Sequence, residues 1–384
     1  MIGQIRISSA ALERNARALR EIVRPAKAAF VVKSNAYGHG LAQTARAIEG
    51  VATQFCVFSL DEAAALRDGG ITAPILILGP IPEARLSEAL AVKAAIALWD
   101  THAYVHHVAA AARKRNVAFP VHVKVNTGTS RFGLDLRDAH DAIEDYLRRP
   151  ELEIAGMFSH LAAAEELDSP YTDLQLDRFN ALSARVGPLF ATRAPAPRKH
   201  IAASAAALLW PRTRLDAARF GIALYGLWPS AQTREAMNDR LTLVPALSYT
   251  SELVAVREVE PGTPVGYGGA FHAARRMRVG MVPLGYADGV PRLLSNRGAF
   301  AVDGARCPIV GRVCMNVTML DLTAAPGARP GTRVTLLGRD GDCSIAADDW
   351  ATWAETINYE IVARLPAEIP RVFEETPDAA GTLV

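Results

Sequence analysis

Over its first ~240 residues the chain alternates short apolar runs with helix-like stretches, and it does so eight times. The runs are AAFVVK, QFCVFSL, PILILG, AAIALW, VHVKV, IAGMFSH, KHIAAS and ARFGIALYG. Each is short, apolar and rich in residues that suit a buried strand. Between most of them lie stretches such as DEAAALRDGG, IPEARLSEALA and THAYVHHVAAAARKRN, which read as helix. Eight strand–helix units within about 250 residues fit a (β/α)8 TIM-like barrel. A doubly wound open sheet shows the same alternation, and the alternation by itself leaves it open.

After about residue 240 the texture changes. LVPALSYTSELVAVREVEPGTPVGYGGAF, MRVGMVPLGY, GAFAVDGARCPIVGRVCMNVTMLDL and GTRVTLLGRDGD carry alternating β-branched segments separated by turn residues. A second, mainly β domain is expected, with DDWATWAETINYEIVARL as its one late helix. We place the barrel at residues 1–238 and the β domain at 239–384, with the boundary inside the polar stretch SAQTREAMNDRLTL.

Composition removes several classes of function. Of the 384 residues half are hydrophobic, enough for two sizeable cores, and the net charge is only +2 without a long basic run. That argues against nucleic acid as the main partner. The opening MIGQIRISSAALERN lacks the apolar centre of a signal peptide, and no stretch approaches the ~18 apolar residues of a membrane span. Cys56, Cys307, Cys314 and Cys343 are scattered without metal-ligand spacing. That usage fits a reducing compartment, and a cytoplasmic protein is expected. His102 and His106 stand four apart on an expected helix, but no third ligand is evident, so no metal site is expected.

A barrel gathers its chemistry at the carboxyl ends of its strands. Lys33 ends the first run, in VVKSNAYGHG, where a rigid strand can hold its amine in a cleft to condense with a carbonyl compound. Arg131 follows the fifth run, His160 ends the sixth, Ser204 follows the seventh and Arg219 lies in the eighth. All five would converge on one face. Ser204 and the backbone near Gly221 and Ile222 could cradle a phosphate, although a serine at a helix start is also an ordinary cap.

These strings resemble those of the alanine racemase family, whose enzymes use pyridoxal 5'-phosphate (PLP). The resemblance runs from IRISSAALERNARAL to TINYEIVARLPAEIPRVF. It implies that Lys33 is the PLP lysine and that Arg219 faces the pyridine nitrogen, where a guanidinium keeps its own proton. It implies a phosphate side built from His200, Ser204, Gly221, Ile222, Tyr37 and Tyr359. Tyr267, in TPVGYGGAF, matches the second base, and His160 the histidine that links this tyrosine towards Arg219. Arg131 and the backbone of Met315 match the substrate-carboxylate site. Tyr286 matches the substrate entrance, and Lys124 a lysine that is carbamylated in some members. The tyrosine comes from the partner subunit in this family, so a homodimer with shared sites is implied.

The implied activity is interconversion of L- and D-alanine by a Lys/Tyr two-base mechanism, supplying D-alanine for peptidoglycan. Departures from the family pattern stand at Ala203 (usually asparagine), Asn316 (usually aspartate), Thr129 and Ser130, and Glu355 (usually glycine). They leave room for serine or a broader substrate range, or for a non-catalytic PLP-binding relative. A barrel-type PLP decarboxylase is the rival of another class. It would need a carboxylate where Arg219 stands.

Overall fold

The structure, a computed structural model, describes residues 3–99, 103–191 and 195–375. Eight of the parallel strands of its main sheet overlap the eight apolar runs, and a two-residue strand, Leu134–Asp135, pairs with the fifth beside them. The eight are Lys27–Val31, Gln54–Val57, Ile75–Ile77, Ala94–Leu98, Phe119–Asn126, Leu152–Phe158, Arg198–His200 and Ala217–Phe220. Each pairs in parallel with the next through the seventh, and the eighth pairs with the first. Backbone bonds from Asp216 N to Lys199 O (3.1 Å) and from Arg219 N to Ala202 O (3.0 Å) link the eighth strand to the seventh. The sheet is therefore a nearly closed barrel, and the open-sheet alternative falls away.

Continuous burial explains the apolar runs, because a barrel strand is covered inside by side chains and outside by helices. Phe30, Phe55, Phe119 and Phe220 are each fully buried. Burying such a ring contributes roughly 1.5–3 kcal/mol. The sixth strand carries one extra residue against the fifth, with Ile154 opposite Val121 but Gly156 opposite His122. A bulge of this kind re-aims the side chains beside it.

The chain forms two compact units, each described by itself. One comprises Glu13–Ser34 and Leu41–Leu243 and holds the barrel. The other comprises the described parts of Met1–Leu12, Asn35–Gly40 and Val244–Val384. The second unit is not continuous in sequence. Gly3–Ser8 pairs antiparallel with Leu247–Glu252 and parallel with Arg371–Glu374, burying Ile5 and Ile7 on one face of the alternation. Around it run Ala299–Val302, Ala305–Pro308 and Arg333–Asp340, with a three-stranded sheet of Ala255–Val259, Met277–Val282 and Thr318–Asp321. The unit is mostly β, as the sequence implies.

The late helix expected as one element is two, Ala347–Trp353 and Asn358–Ala363. Glu355, between them, has a left-handed backbone (φ 54°) that no right-handed helix can pass through. Among the described residues no helix is long and apolar enough to cross a membrane. His102 lies outside the described residues. His106, on the helix Tyr104–Arg115, accepts from Arg149 Nη1 at Nδ1 across 3.2 Å.

Candidate active site

Lys33 follows the first barrel strand and opens the turn Lys33–Tyr37. That turn is left-handed. Ser34, Asn35, Ala36 and Tyr37 have φ of 55°, 52°, 54° and 51°. Four such residues in succession cost roughly 4–8 kcal/mol at 1–2 each, so the surroundings must hold them. Glu62 accepts from Ser34 N at 2.5 Å through one oxygen and from Phe58 N and Ser59 N through the other. His39 N and Gly40 N close the turn on Ala36 O and Asn35 O. Gly38 has φ 84°, and a Cβ there would lie 1.9 Å from the Val362 carbonyl oxygen. Strain of this kind concentrates at functional sites.

The Lys33 amine sits 6.0 Å from the centre of the Phe58 ring. Burial, then the charge of Arg131, lower its pKa, while Glu62 acts in the opposite sense. A desolvated lysine beside other cations is the standard route to a nucleophilic amine.

Lys124 points into the barrel among three rings, 5.1 Å from the centre of Phe132, 5.6 Å from Phe158 and 5.9 Å from Trp99. It has no hydrogen bond or ion pair among the described residues. Burial first, then Arg131, Arg219 and Lys33, bring its pKa down to about 8. Arg131 projects from a loop on which Asn126 Oδ1 accepts from Gly128 N and Ser130 N. Its own side chain is exposed and makes no hydrogen bond among the described residues. Lys33, Lys124, Arg131 and Arg219 thus concentrate positive charge that suits an anionic ligand.

Arg219 is buried in the barrel. Nη2 donates to Ser159 O (2.8 Å) and Ile201 O (3.1 Å), and Nη1 to His200 O (3.1 Å) and His200 Nδ1 (2.6 Å). A guanidinium can only donate, so His200 Nδ1 is unprotonated. His200 then donates from Nε2 to His122 Nδ1 across 2.8 Å, and the hydrogen of His122 lies on Nε2. Burial, followed by Arg219, pushes His200 well below the ordinary histidine range; burial, followed by Arg198, takes His122 to about 3. Arg219 itself falls to about 10 through burial and stays charged at neutral pH. Its Nε–H has no acceptor among the described residues. Arg219 and His122 thus occupy both ring nitrogens of His200, which positions the Arg219 guanidinium. His122 was not singled out in the sequence. Its spacing of two from Lys124 on one strand, which puts both on one face, is the signal that could have found it.

His160 accepts a long bond from Arg219 Nη2 at Nδ1, 3.4 Å. Its backbone oxygen is held by Thr129 Oγ1 and Gln175 Nε2. Burial, then Arg219, lowers it to about 3, so the ring is neutral. Ser204 starts the helix Ser204–Leu209, with Ala203 at the capping position making no side-chain cap. The Ser204 hydroxyl does not cap that helix; it accepts from Gly221 N at 3.1 Å. Ile222 opens the next helical turn, Ile222–Tyr225. First-turn N–H groups of both segments are left for a ligand.

On the β-rich unit, Tyr267 begins a tight turn, Tyr267–Gly269, between the paired strands Pro264–Val265 and Phe271–His272. It is 72% exposed, unusual for a tyrosine held in a turn. Met315 is also exposed and its N–H makes no hydrogen bond among the described residues. Its carbonyl accepts from Ala287 N (3.0 Å), and Cys314 O from Tyr286 N (2.9 Å), so the turn bearing Tyr286 is tied to the loop bearing Met315. Gly285 is required there, since a Cβ would lie 2.1 Å from Cys314 O. Tyr37 and Tyr359 face each other, ring centres 6.3 Å apart. The structure therefore gathers Lys33, Lys124, Arg131, His160, His200, Ser204, Arg219, Gly221 and Ile222 in the barrel unit. Tyr37, Tyr267, Tyr286, Met315 and Tyr359 belong to the other.

Comparison with known proteins follows this division. The alanine racemase N-terminal domain family matches residues 7–229, and the alanine racemase C-terminal domain family residues 246–373. The alanine racemase of Desulfosudis oleivorans is 36% identical over 377 residues, covering 94% of each chain. Among solved structures, the alanine racemase from D-cycloserine-producing Streptomyces lavendulae matches with a TM-score of 0.92 at 31% identity over 98% of both chains. That of Bacillus anthracis with bound L-Ala-P matches with a TM-score of 0.88 at 31% identity, over 97% of this chain and 95% of that one. Both family domains in order, and relatives similar over nearly the whole length, show that the chain belongs to the alanine racemase family.

Proposed function

We propose that the protein is a PLP-dependent racemase of alanine, working through Lys33 and Tyr267. The observation that carries this reading is the Lys33 amine at the end of a barrel strand, its pKa lowered by burial and by Arg131 more than Glu62 raises it. The residues fit PLP. Arg219 offers an uncommitted Nε–H, and two adjacent helical turns offer N–H groups to a phosphate. When bound, PLP would supply an aldehyde to take up the substrate's amine and a conjugated pyridine ring to withdraw electrons as the α-hydrogen leaves.

The chain's own residues supply the rest. Lys33 Nζ takes or returns a proton on one face of the substrate carbon, and the Tyr267 hydroxyl does so on the other. Arg219, positioned by His200, would donate a hydrogen bond to the cofactor's ring nitrogen without giving up the proton. Arg131, with the Met315 N–H, holds the substrate carboxylate. Ser204, Gly221 and Ile222, joined by Tyr37 and Tyr359, hold the phosphate. Lys124, once carbamylated, would support Arg131 with an anionic group, while His160 links the second base towards Arg219 and Tyr286 stands at the entrance.

In this reading the domain from about 239 onward presents the second base to a partner subunit, in a homodimer with shared sites. The exposure of Tyr267, Met315, Ile357 and Leu293 on that unit supports an interface there. The enzyme would act in the cytoplasm and supply D-alanine for peptidoglycan.

Arg219 among neutral imidazoles speaks against the decarboxylase alternative, and the β-rich unit against a non-catalytic PLP carrier. Asn316, an exposed amide next to Met315, favours a second reading in which serine or a wider set of amino acids is racemised. Chiral analysis of L-alanine, L-serine and L-lysine incubated with the PLP-loaded protein tests both. Interconversion of alanine fastest supports the first reading, serine fastest the second. Carbon dioxide release without interconversion would overturn them.

A further inference from the structure

The helix Tyr171–Phe190 follows the sixth barrel strand and carries none of the site residues. Three of its side chains nevertheless hold the loop that leads from the fifth strand to Arg131. The Tyr171 hydroxyl donates to Gly128 O (2.9 Å), Gln175 Nε2 to Thr127 Oγ1 (3.2 Å) and Arg178 Nη1 to Thr127 O (3.0 Å). Positions 171, 175 and 178 have helical spacing, so they share one face. Gly128 fits against that face, since a Cβ there would lie 2.4 Å from the Tyr171 hydroxyl oxygen.

Gln175 is fully buried and uses both hydrogens of its amide. The second goes to His160 O (3.1 Å), while Oε1 accepts from Ala162 N (2.8 Å). The reverse amide orientation would set Nε2 against the Ala162 N–H, so the network fixes it. The hydroxyls beyond it are directed too. Ser159 Oγ spends its hydrogen on Val125 O (2.8 Å), so the Thr127 hydroxyl, 2.8 Å away, donates to Ser159 and accepts from Gln175. Thr129 completes the clasp from within the loop, its Oγ1 donating to His160 O at 2.5 Å. That carbonyl has two lone pairs, and Thr129 and Gln175 take one each.

The clasp joins two site segments whose side chains have little else to hold them. Arg131 makes no side-chain hydrogen bond among the described residues, so its place follows from the backbone of its loop. The His160 ring has one long bond, 3.4 Å to Arg219, and depends on its backbone in the same way. Thr129 is a departure from the family pattern, and its hydroxyl makes the direct link between the two segments. We propose that Thr129 and Gln175 are positioning residues, which lock the loop carrying Arg131 to the segment carrying His160. The hold on the substrate carboxylate and the link to the second base then keep a fixed separation. The proposal deepens the racemase reading and rests on it for the roles of Arg131 and His160.

The test compares the PLP-loaded protein with its Thr129→Val, Thr129→Ser and Gln175→Met variants. L-Alanine racemisation is one readout. The other needs no activity: hydrogen exchange at the Gly128 and Ser130 amides, which Asn126 Oδ1 holds across the loop. Thr129→Val keeps the side-chain shape and removes the hydroxyl. It should raise the KM for L-alanine roughly tenfold, the effect of one lost hydrogen bond. Much less change in kcat is expected, because Arg131 holds the carboxylate in ground and transition states alike. Both amides should exchange roughly tenfold faster, while those of the strand Phe119–Asn126 keep their rates. Thr129→Ser retains the hydroxyl and should retain the unaltered KM and exchange. Gln175→Met should move both readouts as Thr129→Val does; if it fails to fold, the two Thr129 variants decide. Unchanged KM in Thr129→Val with the unaltered enzyme active, or equal losses in Thr129→Val and Thr129→Ser, would overturn the proposal and leave the racemase reading standing. Faster exchange in Thr129→Val of a protein inactive on every amino acid would keep the tie between the two segments and overturn the racemase reading.

Discussion

Nη1 of Arg219 donates to Nδ1 of His200 across 2.6 Å, and that one bond fixes the protonation of two buried imidazoles. His200 must be neutral to accept, and it must then donate from Nε2 to His122. Protonating either ring would break the chain that holds Arg219. His39 at about 4, and His122 and His160 at about 3, lie below the ordinary histidine value of about 6.5. Each binds a proton more readily when unfolded. Stability from these groups is complete above about pH 6.5 and is lost as pH falls towards 3–4. Denaturant midpoints measured across that range should fall with acid. His122→Gln, which keeps an acceptor for His200 but cannot titrate, should flatten the slope by up to about 1.4 kcal/mol per pH unit. An unchanged slope would count against a neutral, buried His122.

Much of this was legible before the structure. The eight apolar runs mark the barrel because strands buried on both faces have no room for polar residues. Lys33, Arg131, His160, Ser204 and Arg219 could be placed because barrel strands deliver their chemistry at one end. Three features were hidden for physical reasons. The left-handed turn from Ser34 to Tyr37 is imposed by tertiary contacts such as those of Glu62, not by its own residues. The role of His200 depends on which partner meets each ring nitrogen, and one residue type serves cofactor contact and support alike. The break at Glu355 escapes pattern reading because glutamate favours the helix that its backbone here interrupts.

Lys124 is a buried amine with a pKa of about 8 and no anionic partner among the described residues. A fraction of it is therefore uncharged near neutral pH and able to add carbon dioxide, releasing a proton and leaving a carbamate anion beside Arg131. Protein equilibrated with ¹³C-bicarbonate should show one slowly exchanging carbamate resonance, absent from Lys124→Arg. Arg131→Ala should weaken the resonance. A spectrum without it would leave Lys124 as a plain cation.

Asn316 Nδ2 donates to Asp288 Oδ2 at 3.2 Å, and the same oxygen accepts from Gly285 N at 2.9 Å. The Tyr249 hydroxyl donates to the Asp288 backbone oxygen, and burial, then the Asp288 charge, pushes that hydroxyl up, so it stays protonated. Arg371 is the nearby cation acting on Tyr249. Asn316→Asp sets two carboxylates against each other, which cannot both ionise without repulsion. Its kcat/KM for alanine should fall by roughly tenfold on the alkaline side and recover towards acid, a pH dependence that the unaltered enzyme lacks. Exchanging the pair, Asp288→Asn with Asn316→Asp, should restore the original profile. An unchanged profile in the single variant would show that the amide does not steer the turn bearing Tyr286.

If Tyr267 serves a partner's Lys33, then Lys33→Ala and Tyr267→Phe chains, each inactive alone, should regain activity when subunits exchange. Statistical mixing gives half of the dimers as hybrids, each with one intact site, so about a quarter of the unaltered activity is expected. Mixing that yields hybrids but no activity would place both residues of each site on one chain.

The two faces of the substrate carbon are separated most directly by Tyr267→Phe in deuterium oxide. With Lys33 alone at work, this variant should exchange the α-hydrogen of one alanine enantiomer while converting it to the other at least ~100-fold more slowly than the unaltered enzyme. Inversion at the unaltered rate, or equal exchange of both enantiomers, would contradict the assignment of one base to each face.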